Sequence, residues 1–240
     1  MDTNTVAVIG GTGDQGLGLA LRWAVAGRRV VIGSRDPTRA AAAARNICAR
    51  AGASVPVSGC GNAEAAASAQ IVVLTVPFAA QIGTLQSLAE ALRAGQILVD
   101  VTVPLEAAVG GAPTRMLGVW AGSAAEQAAA YVPTGVEVAA AFHNVSAYAL
   151  RHLEHAIDCD VLVCADRPET RAAVRPWVEA IRDCRYVDGG KLENARTAEA
   201  LTALLIGLNV RHKVHAAGIR FTGLPTRSRD SGGSHKAEKQ

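Results

Sequence analysis

The stretch Val6-Ala7-Val8-Ile9-Gly10-Gly11-Thr12-Gly13-Asp14-Gln15-Gly16-Leu17-Gly18 decides how the chain is read. It opens as an apolar run, breaks into glycines and continues into Leu19-Ala20-Leu21-Arg22-Trp23-Ala24. Gly11, Gly13 and Gly16 satisfy the dinucleotide fingerprint G-x-G-x-x-G in its required setting, a strand before and a helix after. In that setting Gly11 makes the tight turn, Gly13 admits a close backbone approach to a pyrophosphate, and Gly16 lets helix and sheet pack closely. The pyrophosphate is expected on the unpaired N–H groups of the helix N-terminus, where the helix dipole also favours negative charge.

Outward from this turn, strands and helices alternate. Residues 6–9 read as a strand and 15–26 as a helix stopped by Gly27. Residues 29–33 form a second strand, and Pro37 opens an Ala-rich helix to about Ala51. Residues 55–57 are a weak strand, placed at an edge by Pro56. A short helix (63–69), a buried strand (71–75), an amphipathic helix (81–93) and a strand (96–101) follow. This order implies a right-handed, doubly wound, mostly parallel α/β sheet of the Rossmann type. Residues 100–122, rich in Pro and Gly, read as a loop, of a length that is usually functional or mobile. A short helix (124–131), strands at 136–142 and 160–164, a helix opened by Pro168 (168–182) and a strand at 185–187 come next. After a break at Gly189-Gly190, a long apolar helical pattern runs from Leu192 to about Gly218. The expected organisation is therefore a nucleotide-binding domain over 1–190, a helical segment over 191–224 forming a small second domain, and a disordered polar tail over 225–240.

Bulk properties narrow the class. Half of the 240 residues are hydrophobic but only 4% are aromatic, so Val, Ile, Leu and Ala must build the core. That composition suits parallel strands covered on both faces. A net charge of +3 gives no reason to expect a nucleic-acid partner. The five cysteines (Cys48, Cys60, Cys159, Cys164, Cys184) contain no C-x-x-C pair and read as reduced, buried thiols. No apolar run is long enough for a membrane span. Only Met1-Asp2-Thr3-Asn4 precedes the first strand, so no signal peptide is expected and a cytoplasmic location is.

An NAD-type site would place an acid at the end of the second strand. Here the sequence reads Gly33-Ser34-Arg35-Asp36-Pro37-Thr38-Arg39. Ser34 can donate to a phosphate, Arg35 can grip it with its planar fork, and Arg39 lies one helical turn further on. Asp36 is expected to point into the turn. These residues argue for the 2′-phosphate of NADP.

The motifs Gly10-Gly11-Thr12-Gly13-Asp14-Gln15-Gly16, Gly33-Ser34-Arg35, Leu74-Thr75-Val76-Pro77, Val103-Pro104 and Phe142-His143-Asn144-Val145-Ser146-Ala147 occur in one order. Asp160-Val161-Leu162-Val163-Cys164 and Gly218-Ile219-Arg220-Phe221 follow, so about Thr5 to Gly223 is covered. This set resembles the NADPH-dependent reductases of coenzyme F420. The resemblance implies direct hydride transfer between NADP(H) and a 5-deazaflavin, without a metal and without a catalytic side chain. It implies that Thr12, Gly13, Asp14 and Gln15 line the pyrophosphate, that Ser34, Arg35 and Arg39 hold the 2′-phosphate, and that Val76 flanks the nicotinamide. Val103, Val145, Ala147 and Ala217 would form the deazaflavin pocket, with backbone groups of Val145 and Ala147 bonding the ring edge. For the acidic side chain of coenzyme F420, the basic candidates are Arg115, Lys191, Arg196 and Arg220.

The chemistry agrees, since hydride transfer between stacked rings mainly needs two carbons held about 3–3.5 Å apart in a dry slot. Two other readings stay open at this stage: an NADP-dependent reductase of an imine or other small substrate, and a non-catalytic NADP-sensing protein. His143 is either a structural histidine or a ligand to the site; an imine reductase would want a proton donor near the slot, for which His143 or Asp100 are the candidates. The long C-terminal helix is expected to pair two copies into a homodimer.

Overall fold

The structure is a computed structural model that describes residues 4–52 and 56–224; the expected tail at 225–240 lies outside the described residues. Eight strands form one sheet: β1 (Thr5–Ile9), β2 (Arg29–Ser34), β3 (Val57–Gly61), β4 (Ile71–Leu74), β5 (Ile97–Asp100), β6 (Glu137–Ala140), β7 (Cys159–Cys164) and β8 (Cys184–Gly190). Their order is β3-β2-β1-β4-β5-β6-β7-β8. The first six in that row are parallel, β7 joins β6 antiparallel through Ala140 and Cys164, and β8 runs parallel to β7. Chain order reverses between β1 and β4, which creates the crevice at which ligands of such sheets bind.

Eight helices cover the sheet: α1 (Asp14–Val25), α2 (Pro37–Ala51), α3 (Asn62–Ser68), α4 (Gln81–Leu88), α5 (Ala124–Ala129), α6 (Ala147–Arg151), α7 (Pro168–Glu179) and α8 (Ala195–His212). Alternate strand residues feed opposite faces. Val6, Val8, Val30, Ile32, Val73 and Val99 pack under α1, α2, α6 and α7, while Ala7, Ile9, Val31, Val72, Leu74 and Leu98 pack under α3, α4 and α5. The few aromatic residues concentrate in one place. Trp23 meets Phe142 and Trp177 edge-on, each with ring centres 5.7 Å apart, and its indole N–H donates to the Trp177 carbonyl.

Several expectations need correction. The helix expected over 81–93 ends at Leu88, because buried Gln96 closes the following turn. The Gln96 side chain accepts from the Arg93 amide and donates to the carbonyls of Ala66 and Ala69. The helix expected to reach about Gly218 stops at His212. Lys213 adopts a left-handed φ of +56° and the Val214 amide returns to the Asn209 carbonyl, closing the helix without a glycine. β8 runs through Gly189-Gly190 instead of breaking there, with a register shift opposite Cys164. All five cysteines are free, but only Cys159 and Cys164 are buried.

One interaction escaped the sequence reading. Arg22 is 6% exposed, and its guanidinium donates to the carbonyls of Ala149, Leu150, His152 and His155. It therefore satisfies the carbonyls at the end of α6 from inside α1, where water cannot. Replacing Arg22 by Met should destabilise the protein by about 3 kcal/mol, because several buried carbonyls lose their donor together. Arg182→Met, at a side chain 85% exposed, should stay within about 0.5 kcal/mol. Equal denaturation midpoints for the two variants would refute this account.

Candidate functional site

The turn after β1 lies at the carboxyl edge of the sheet. Gly10, not Gly11, carries the left-handed conformation, with φ of +71°, so the tight turn falls one residue earlier than the fingerprint suggests. Gly11 donates its amide to the Gly33 carbonyl and ties the turn to β2. A Cβ on Gly16 would lie 2.6 Å from Thr75 Oγ1 and 2.7 Å from the Gly11 Cα. The close helix–sheet approach expected of this glycine is therefore present. Gly13 caps α1 with no side-chain bond, and its Cβ position would meet nothing nearer than 3.6 Å. The Gly13 position is therefore uncrowded, at the end of the helix where backbone amides lack intrahelical partners.

Neighbouring side chains take roles that the motif does not announce. Asp14 pairs with Arg151 at 2.7 Å. Gln15 donates through Nε2 to the carbonyls of Phe142 and Val145, each at 3.3 Å, and so braces the loop after β6 against the first turn of α1. Thr12 is half-buried beside them.

At the end of β2, Ser34 is buried, and its Oγ accepts from the Asp36 amide. Asp36 caps α2, accepting from the amides of Thr38 and Arg39. Its carboxylate is committed to the turn, as expected. Arg35 and Arg39 are exposed beside it. Val76 follows β4, half-buried, with its side chain against the Gly10 turn.

Val103, the neighbouring pair Val145 and Ala147, and Ala217 come from three separate places in the chain, and all four line one cleft of about 400 Å³. Gln15 and His143 also line it, and Thr202, Leu205 and Asn209 of α8 close its far side. Asn209 holds the last wall in place, its Oδ1 accepting from the Ala217 amide. Ser146 Oγ donates to the His215 carbonyl across the mouth. Of the basic candidates, three are engaged elsewhere. Arg220 binds Asp158 and Asp160, Arg115 lies near Glu106, and Arg196 donates to the Glu193 carbonyl.

Behind the cleft lies a buried polar group. Asp100 accepts from Gln81 and Thr102. Glu199 accepts from the amides of Ala124 and Ala125 at the start of α5. Burial pushes the Asp100 carboxyl up to about 7 against the opposing pull of the Thr102 and Gln81 bonds. Burial likewise pushes Glu199 up to about 8, with the charges of Asp100 and Glu126 adding to the rise. Burial also lowers His143 to about 4, so its ring is neutral near pH 7. Glu199 was missed in the sequence. An acid within the apolar pattern of α8 does not by itself say which way it points.

Comparison with known proteins gives a consistent picture. Residues 5–104 match the family described as "NADP oxidoreductase coenzyme F420-dependent". The chain is 49% identical over 222 residues to the F420-dependent NADP reductase of Methanothermobacter thermautotrophicus, covering 92% of this chain and 95% of that protein. It is 39% identical to the F420-dependent NADP reductase of Methanocaldococcus jannaschii, over 91% of this chain and 98% of the relative. A crystal structure of a candidate F420-dependent NADP reductase from Arthrobacter sp. FB24 superposes with a TM-score of 0.75 at 28% identity, covering 90% and 98% of the two chains.

The packing of the glycine turn generates a test. Gly16→Ala must displace either the turn or the end of β4, and overpacking of this kind costs about 1–3 kcal/mol. Lower thermal stability together with weakened dinucleotide binding is expected. A Gly16→Ala variant with unchanged melting and binding would show that the turn tolerates a methyl group.

Proposed function

This chain belongs to the F420-dependent NADP reductases and is an oxidoreductase that moves hydride between NADP(H) and coenzyme F420, and we propose that the exchange takes place across the cleft beside the first turn of α1. The observation that carries this reading is the convergence of Val103, Val145, Ala147 and Ala217 on that one cleft. Their walls are apolar and small, which suits a flat ring and keeps water from the reacting carbons.

The pyrophosphate of NADP(H) lies on the α1 N-terminus, against the backbone of Gly11, Thr12 and Gly13, with Asp14 and Gln15 flanking it. Ser34, Arg35 and Arg39 hold the 2′-phosphate, and Val76 backs the nicotinamide. The deazaflavin ring lies between Val103, Val145, Ala147 and Ala217, with the backbone of Val145 and Ala147 bonding its edge. The hydride step is served by positioning: Gln15 fixes the loop that carries Val145 relative to the helix that carries the pyrophosphate. The segment 191–224 supports this reading as a second unit, since Thr202, Leu205, Asn209 and Ala217 wall the cleft.

No helix among the described residues is long and apolar enough to cross a membrane, and the proposed setting is the cytoplasm. The proposed assembly is a homodimer through α8. On that helix, Leu201, Leu204 and Leu208 share one stripe, with Leu204 55% exposed.

Two measurements test these proposals. Arg35→Ala should raise the KM for NADPH by about 10-fold or more and leave that for NADH nearly unchanged, because a charge-assisted bond to the 2′-phosphate is lost. Equal losses for both cofactors would overturn the phosphate assignment. Leu204→Glu should convert the dimer to monomer in light scattering, and a dimer that survives this change would place the interface elsewhere.

A further inference from the structure

Three buried side chains have no part in positioning the two ligands. Asp100 is 0% exposed, Glu199 1% and His143 6%. Each offers one side-chain N or O atom that lies within 4.8 Å of those of the other two. Neither ring nitrogen of His143 has a hydrogen-bond partner among the described residues, although buried polar atoms are almost always paired. His143 reaches the cleft, whereas Asp100 and Glu199 stand behind it. The donors that reach the two carboxyls are neutral: Gln81 and Thr102 for Asp100, and backbone amides for Glu199.

Other titratable groups face this cluster from the surrounding elements. Glu126 of α5 repels Glu199 and has Arg196 at 3.9 Å on its other side. Cys164 of β7 feels the Glu199 charge and is itself raised, chiefly by burial. Two carboxyls this close, whose donors among the described residues are neutral, cannot both ionise readily. One of them retains a proton near neutral pH.

We propose that Asp100, Glu199 and His143 form a proton relay, in which the two carboxyls hold a proton and His143 passes it into the cleft. This rests on the reading of the cleft as the deazaflavin site. Hydride transfer from NADPH breaks a C4–H bond of the nicotinamide and forms a C5–H bond on the deazaflavin, leaving NADP⁺. The reduced ring then requires one proton at N1. His143 gives its N–H proton toward the cleft while its other nitrogen takes a proton from a carboxyl. Solvent reprotonates the resulting carboxylate as products leave, and the reverse reaction sends the proton back. His143 is suited to passing a proton rather than storing one, because burial keeps its ring neutral.

The sign of the pH effect follows from the raised carboxyls. Their protonated form prevails below about 7 for Asp100 and about 8 for Glu199, so F420 reduction should slow as the pH climbs through that window. Single turnovers of NADPH with F420, in H2O and D2O, should show this falling limb and a solvent isotope effect in the wild type. His143→Gln should lower the rate about 10²- to 10⁴-fold, flatten the limb and abolish the isotope effect, with the KM for NADPH unchanged. Asp100→Asn removes the charge that raises Glu199, so its limb should move to lower pH. A readout without substrates is the infrared C=O stretch of a protonated carboxyl in the ligand-free protein at pH 7, which Asp100→Asn should diminish. A wild-type pH profile and isotope effect in His143→Gln would overturn the relay alone, provided that Val145→Trp raises the KM for F420. An unchanged KM in Val145→Trp would overturn the cleft reading and the relay with it. A tightly held, stoichiometric metal removable by chelator would assign the three side chains to a cation and also overturn the relay.

Discussion

The geometry of this protein depends on one cation held away from water. The Arg22 guanidinium, inside α1, grips four carbonyls at and beyond the end of α6. Charge-assisted bonds of this kind are short and directional, and a buried acceptor that loses its donor is costly. α1 begins at the glycine turn, and α6 begins at Ala147 in the wall of the cleft. The glycine turn and the cleft wall, proposed as the nucleotide and ring sites, are therefore fastened through a single helix. Gln15 adds a second fastening at the near end of that helix, and Arg151 with Asp14 adds a third. The proposed sites of both ligands thus lie on one frame.

Much of this frame was legible before any coordinates. The parallel strands were plain because they are short runs of Val, Ile and Leu buried on both faces, and Pro37 and Gly27 marked their helix boundaries well. The edge position of β3 followed from Pro56. Less visible were elements whose boundaries are set by distant partners. α6 is five residues long, too short for a periodic signal, and it depends on a cap from Ser146 and on Arg22. The end of α4 is set by the Gln96 side chain, and that of α8 by a left-handed lysine; neither residue type announces a stop. Local sequence also could not show that Arg22 and Glu199 point inward, since both stand on helices where a charged residue usually faces solvent.

The candidate site divides in the same way. The glycine turn could be read because backbone geometry imposes residue types at fixed spacings, and the phosphate role proposed for the Ser34-Arg35 corner rests on the same kind of argument from ligand charge. The four cleft residues, Val103, Val145, Ala147 and Ala217, are small and apolar, and nothing in their chemistry distinguishes them from core. Their grouping came from resemblance, and it takes the folded sheet to bring them together. The far wall is secured by electrostatics of a different kind. Burial would raise the Asp160 carboxyl, yet Arg185, the Phe221 amide and Arg220 hold it down at about 2. That clamp fastens the segment after α8 to β7, and Ala217 lies on the segment it restrains.

The reversed polarity of β7 shapes this wall. β6 and β7 meet only where both end, at Ala140 and Cys164. The rest of β7 therefore projects beyond the edge at which the parallel strands stop, and Asn144 reaches across to donate to the Asp160 carbonyl. In most doubly wound sheets the ground beyond that edge belongs to connecting loops, which vary and move. Here a strand laddered to β8 serves as a backstop, and the loop bearing His143 and Val145 leans on it. Stiffness borrowed from the sheet suits a reaction whose speed is governed by the gap between two stacked planes, because a wall that cannot recede keeps that gap constant from one turnover to the next.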